Sequence, residues 1–226
     1  MFDITTSWRT TYPDAHAGFL VMHNVDNPVA CPELDRRKQD LESELRVRFV
    51  GQDRKALDAI PTISAYNAYY KQFVKTYHVQ AQLESIAFKG RAIPSVGALV
   101  TAMFMAEVKN LLLTAGHDLD SLHLLVTLGV AAGDERYTLL RGQDQVLKAG
   151  DMMMADRHGV ISSIVYGPDQ RTQIAAHTRS VLFAVYAPAG IPVQAVDSHL
   201  QDIRDYVQLG SPAAVVKALH VVGSGQ

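Results

Sequence analysis

Four residues within seven positions, His117, Asp118, Asp120 and His123, form the densest titratable cluster of the chain. Imidazole and carboxylate suit zinc and other divalent ions, and the same groups can orient a water for hydrolysis. The spacing matches no closed ligand set, so no metal is expected. The competing structural role is a turn or cap for Asp118 or Asp120, with His117 bonded to backbone. A second polar set, Ser162, Ser163, Asp169, Arg171, Thr172, His177, Thr178 and Arg179, crowds the ends of apolar runs later in the chain. Binding groups usually lie on loops carried by a rigid sheet; turn and edge polarity would account for the same residues. GxGxxG, GxxxxGK[ST] and GxSxG do not occur, so phosphate cradles and a serine elbow have no motif here. No cofactor is expected.

The elements that must position these groups follow from periodicity. Met152 to Ala155 and Val160 to Tyr166, separated by Asp156-Arg157-His158-Gly159, read as a β-hairpin. Gly167-Pro168-Asp169-Gln170 reads as a tight turn, and Thr178 to Tyr186 as a strand buried on both faces. Before them, residues 122 to 132 read as a buried strand and Tyr137 to Leu147 as one or two strand pieces. Gly116 to Asp120 closes a long apolar segment as a bend. Phe2 to Ser7 and Phe19 to Asn24 are β-like.

Helices frame this β region. Leu34, Leu41, Leu45 and Phe49 recur at helical spacing after Pro32. Asp53 caps a short helix that Pro61 ends, and Ser64 caps another carrying Tyr66, Tyr70, Phe73 and Tyr77 on its inner side. Gln80 to Phe88 follows, with Gly90 as its stop. Val196, Leu200, Ile203 and Val207 mark a C-terminal helix. Gly210-Ser211-Pro212 breaks it, Ala213 to Val222 reads as a second short helix, and Gly223 to Gln226 as a disordered tail. The expected fold is α+β, one domain over residues 1–226, with a central mixed β region between N-terminal and C-terminal helices.

Bulk properties narrow the function. With 21 basic against 23 acidic residues, the molecule as a whole does not attract a polyanion, so RNA contact requires a local basic patch. Arg36, Arg37, Lys38, Arg46, Arg48, Arg54 and Lys55 offer one, but Glu33, Asp35, Asp40, Glu42, Glu44 and Asp53 lie among them and make a solvated helix face the stronger reading. The single cysteine, Cys31, excludes an intramolecular disulfide and fits a reducing cytoplasm. The N-terminus has no signal-peptide pattern. The longest apolar stretch, Val96 to Ala106, is about half of the roughly 20 residues a bilayer requires.

An ordered series of short motifs then resembles a known family. Leu99-Val100, Asp118-Leu119-Asp120, Gly150-Asp151, Ala155-Asp156, Tyr166-Gly167-Pro168-Asp169, Thr172, Thr178-Arg179 and Val181-Leu182-Phe183 resemble the B3/B4 domain of the phenylalanyl-tRNA synthetase β subunit. They are more closely similar to its free-standing B3/4-domain relatives. The resemblance covers about residues 60 to 190, leaving 191–226 as a C-terminal helical extension. In the synthetase this domain hydrolyses the ester joining a wrong amino acid to tRNA. The resemblance thus implies a three-layer α+β fold, contact with tRNA or aminoacyl-tRNA, and editing-like hydrolysis of mischarged tRNA in trans. A non-catalytic module for RNA or a small amino-acid-like ligand is the alternative.

Carried over by position, the resemblance implies that His117 or Asp118 orients water, Gly167 admits a ligand to backbone amides, and Ser163 or Thr178 donates to an oxyanion. Ser162, Tyr166, Asp169, Thr172 and Arg179 would complete the substrate-binding set. An aminoacyl ester is already activated, so a site that positions water needs no serine nucleophile. On this reading Asp118→Ala weakens function more than fold. Three segments depart from the family: Leu99 to Phe104 lacks the polar residues of Leu-Val-Asp-x-x-Asn, Ala184 stands where the synthetase has an acidic residue, and Ser163-Ile164-Val165 replaces Arg-Arg-Trp.

Overall fold

The computed structural model describes residues 1–223. Residues 224–226, most of the segment expected to be a disordered tail, lie outside the described residues; Gly223 ends a strand. The chain runs β1 (Phe2–Ile4), α1 (Thr6–Thr11), β2 (His16–His23), α2 (Pro32–Arg48), α3 (Arg54–Asp58), α4 (Pro61–Gln72), α5 (His78–Ala87) and α6 (Ala98–Asn110). It continues through β3 (Thr114–Asp118), β4 (Val126–Val130), β5 (Arg136–Thr138), β6 (Asp144–Val146), β7 (Met152–Asp156), β8 (Gly159–Ser163), β9 (Gly167–Pro168), β10 (Ser180–Ala187), α7 (Val193–Gly210) and β11 (Val215–Gly223). The fold is α+β.

Two sheets carry the core. One is mixed, ordered β1-β4-β7-β8-β9, with β1 parallel to β4 and the other pairings antiparallel. The other is antiparallel, ordered β11-β2-β10-β3. Alternation along β2 assigns its two faces. Gly18 lies under α7, so close that a Cβ there would meet Val196 Cγ1 at 2.6 Å. Its neighbour Phe19 points the other way and stacks on Phe2 of β1 at 4.1 Å. On that same inner face Tyr186 of β10 shares a 2.6 Å hydroxyl contact with Ser162 of β8. The layers are therefore sheet, sheet and helix, with every residue of β10 buried.

Helix α4 ties the layers at one end with its tyrosines. Tyr66 donates to Tyr186 O, Tyr70 to Ile164 O at 2.6 Å, and Tyr69 to Asp151 Oδ1 at 2.7 Å. Of the aromatic stripe expected on its inner side, Tyr66 and Tyr70 lie on α4, Phe73 caps its end and Tyr77 precedes α5, and all four are buried. Pro61 begins this helix where the sequence reading ended one, and Ile60, not Ser64, is the extended cap. Proline fits the first helical position and keeps the residue before it extended. The expected strand Phe2 to Ser7 stops at Ile4, because the Thr5 hydroxyl accepts Trp8 N–H at 3.2 Å and starts α1. The strand expected from residue 122 begins at Val126.

The largest correction is at the C-terminus. Residues 213–222, read as a helix, instead form most of β11, paired along β2 with a bulge between Val216 and Ala218. The segment is mostly apolar, with Lys217 and His220 within it, and its periodicity does not separate helix from strand. Its four valines favour a strand once β2 presents an open edge. The segment beyond residue 191 is thus one helix, α7, and an integral sheet strand. Among the described residues no helix is long and apolar enough to cross a membrane.

Candidate functional site

The C-terminal half of α6 and the start of β3 are joined by Leu111, Leu112 and Leu113, a tight return in which Leu111 takes φ 61°. That return brings Glu107 of α6 against β3, where its Oε1 accepts the Thr114 N–H at 2.8 Å. Its Oε2 is buried and has no hydrogen-bond partner. The side chain is 1% exposed. Burial without a neighbouring cation pushes the carboxyl up to about 8, so at neutral pH it is a protonated acid.

Glu107 borders a cavity of about 330 Å³. Its walls are mostly hydrocarbon: Val100, Met103 and Phe104 from α6, Leu113, Ile174, and at the rim the exposed Val96 and Leu140. Polar atoms are few: Glu107, Thr114, His78 at the start of α5, Gln173, and the backbone at Gly116 and Gly167. Gly167 has φ +84°, a conformation that side chains rarely adopt, and its open Cα lets a ligand approach the main chain. A mostly apolar hollow with a few convergent polar groups is the usual form of a small-molecule site.

His78 is exposed at this rim, and its ring lies against Tyr70 and Tyr77, at centroid distances of 6.3 and 6.0 Å. That packing lowers its imidazole below the ordinary value through desolvation. The Tyr70 hydroxyl spends its proton on Ile164 O, so it meets His78 Nδ1, 3.5 Å away, as an acceptor.

A second groove shares Leu140 and Pro168 with this cavity and is completed by Leu139, Arg141, Gln143 and Tyr166. Lys75 stands 5.2 Å from the Tyr166 ring centroid. A cation-bearing aromatic groove thus adjoins the mouth of an apolar hollow.

The residues expected from sequence divide between these places. Gly167 borders the cavity, Tyr166 the adjoining groove, and Asp169 a polar cleft of about 310 Å³ that also includes Arg136, His158 and Arg171. His117 and Asp118 do not form a bend; they are the last two residues of β3, buried and engaged inward. The Thr172 hydroxyl donates to Asp169 Oδ1, so it accepts from His117 Nδ1 at 2.7 Å. His117 Nε2 is left buried without a partner, and burial pushes the imidazole down to about 3. Asp118 Oδ1 accepts the Asp120 N–H, capping the 3₁₀ turn Leu119–Ser121, while Oδ2 accepts the Thr178 hydroxyl at 2.7 Å.

Ser163 Oγ accepts the Tyr166 N–H at 3.2 Å, and Ser162 is spent on Tyr186. Arg179 is exposed, 3.8 Å from Asp26. Arg171 holds Asp156 by two hydrogen bonds of 3.0 and 2.9 Å, and the backbone N–H of His123, followed by that guanidinium, keeps the carboxylate low against the opposing effect of burial. Among the described residues no three His, Cys, Asp or Glu side chains gather as metal ligands. The basic side chains of α2 are largely paired on the helix itself, Arg37 with Glu44, Lys38 with Asp35 and Arg46 with Glu42.

Sequence reading missed Glu107 and His78. The one available signal for Glu107 was a lone acid within the apolar face of a helix that must be buried.

No family model matches the chain, and no curated protein matches it. Among solved structures, an N-terminal fragment of the phenylalanyl-tRNA synthetase β-subunit from Pyrococcus horikoshii is similar, with TM-score 0.49 and 9% sequence identity. The match covers 96% of this chain and 54% of that one, so the chain spans about half the length of the fragment.

Proposed function

We propose that the chain is a tRNA-associated, editing-like protein whose cavity beside α6 receives the aminoacyl group of a mischarged tRNA and promotes hydrolysis of its ester. One observation carries this reading: the apolar hollow adjoins a groove with Tyr166, Lys75 and Arg141. An apolar amino-acid side chain suits the first, and a phosphorylated nucleoside suits the second, its base on the ring and its phosphate on the cations. The neutral His78 at the cavity rim is the group placed to take a proton from water. One cysteine suits the reducing cytoplasm where such a substrate occurs.

A second reading, a binding module without catalysis, is favoured by the hydroxyls of Ser162 and Thr178, both buried and committed to internal hydrogen bonds. A deacylation panel of mischarged tRNAs decides between them. The editing reading expects release above buffer for at least one ester, reduced about a hundred-fold in His78→Ala. Release equal to buffer across the panel ends the enzyme claim. Titrating uncharged tRNA at two salt concentrations tests the RNA contact, which must weaken as salt rises; an affinity unchanged by salt removes it.

A further inference from the structure

Outside any question of catalysis, Glu107 poses a chemical problem that a ligand of one class would solve. A buried acid with one oxygen satisfied by Thr114 N–H and the other without a partner costs stability wherever nothing completes it. It borders a cavity whose remaining wall is mostly hydrocarbon.

We propose that this cavity binds an apolar primary amine, with the ligand's ammonium paired to the Glu107 carboxyl, whose unpartnered oxygen must turn toward the hollow to meet it. The proposal names the ligand class of the cavity assigned above and rests on that assignment.

The charge balance favours a cation over an anion. On binding, the protonated carboxyl releases its proton to solvent, and the carboxylate and ammonium that remain sum to zero charge in a low-dielectric pocket. Glu107 is the carboxylate in the cavity wall. The hydroxyls of Tyr66, Tyr70 and Tyr77 donate to Tyr186 O, Ile164 O and Leu111 O. His199 is fully buried on α7 and engages Thr114 Oγ1 at 2.7 Å, and Lys109 pairs with Asp202. His78, at the rim, carries no charge when its ring is neutral. The hydrocarbon of Met103, Phe104 and Ile174 would enclose the rest of the ligand, so an arylalkyl or branched amine fits better than a small polar one.

The test is titration calorimetry of the full chain at pH 7.5 with 2-phenylethylamine, its neutral isostere 2-phenylethanol, and phenylacetate, in two buffers of different ionisation heat. The amine should bind about ten-fold or more tightly than the alcohol, with about one proton released per ligand bound. Glu107→Gln, which keeps the shape, should bring the amine down to the affinity of the alcohol. Equal or tighter binding of the alcohol or of phenylacetate, binding of none of the three, or an amine preference that survives in Glu107→Gln overturns the proposal. An amine preference without tRNA deacylation leaves it standing while the editing reading falls; deacylation without an amine preference does the reverse.

Discussion

Glu107 and Thr114 face each other across the return from α6 to β3, joined by a 2.8 Å hydrogen bond from the Thr114 N–H to a carboxyl whose other oxygen has no protein partner. This pairing fixes the inner wall of the cavity, and it also gives the protein a pH-dependent stability.

The folded carboxyl of Glu107 titrates near 8, against an ordinary 4.5. A folded value above the unfolded one means that the native state holds the proton longer. Stability is therefore greatest below about pH 4.5 and falls as pH rises, by about 1.4 kcal/mol per unit, until the folded group ionises near 8. Urea midpoints of the wild type and Glu107→Gln between pH 6 and 9 check this. The difference between the two proteins should shift in favour of the variant as pH rises; a constant difference would mean that Glu107 is already ionised.

Asp118 should prove structural. Its two oxygens cap the 3₁₀ turn and hold Thr178, so Asp118→Ala should cost about 2 kcal/mol of stability. Ligand affinity at the cavity should be unchanged. Equal stability with lost binding would restore the catalytic role that the sequence resemblance implied.

Asp151 should be the most sensitive carboxylate in the fold. Fully buried, it accepts Tyr69 OH at 2.7 Å and Val165 N–H at 3.2 Å, and desolvation pushes it up to about 6 despite those bonds. Asp151→Ala leaves both donors buried and unpaired, a loss of about 3 kcal/mol or more by denaturant unfolding. A loss under about 1 kcal/mol would show that water replaces it.

Gly116 should set the size of the ligand. A Cβ there would stand 2.8 Å from Ile174 Cδ1 and 3.2 Å from Met103 Sδ, two side chains of the cavity wall. Gly116→Ala should push one or both into the hollow and weaken the larger of two homologous amines by about ten-fold relative to the smaller. An unchanged ratio would place the ligand elsewhere.

Much of the architecture was written in local patterns. The 3.6-residue period after Pro32, the tyrosines of α4, the hairpin of β7 and β8 and the almost wholly apolar β10 are statements about which faces must leave water, and those faces did. The absence of nucleotide-cradle and serine-elbow motifs narrowed the chemistry in the same way. Two things were decided only by tertiary structure. Residues 215–222 became a strand because β2 offered an unpaired edge, and a mostly apolar run broken only by Lys217 and His220 has too weak a period to oppose it. The polar groups of His117, Asp118, Ser162 and Thr178 looked available because sequence shows a hydroxyl or carboxylate but not its partner; folding joined Asp118 to Thr178, His117 to Thr172 and Ser162 to Tyr186, and left Glu107, hidden in a helix beside the cavity, with an unpartnered oxygen.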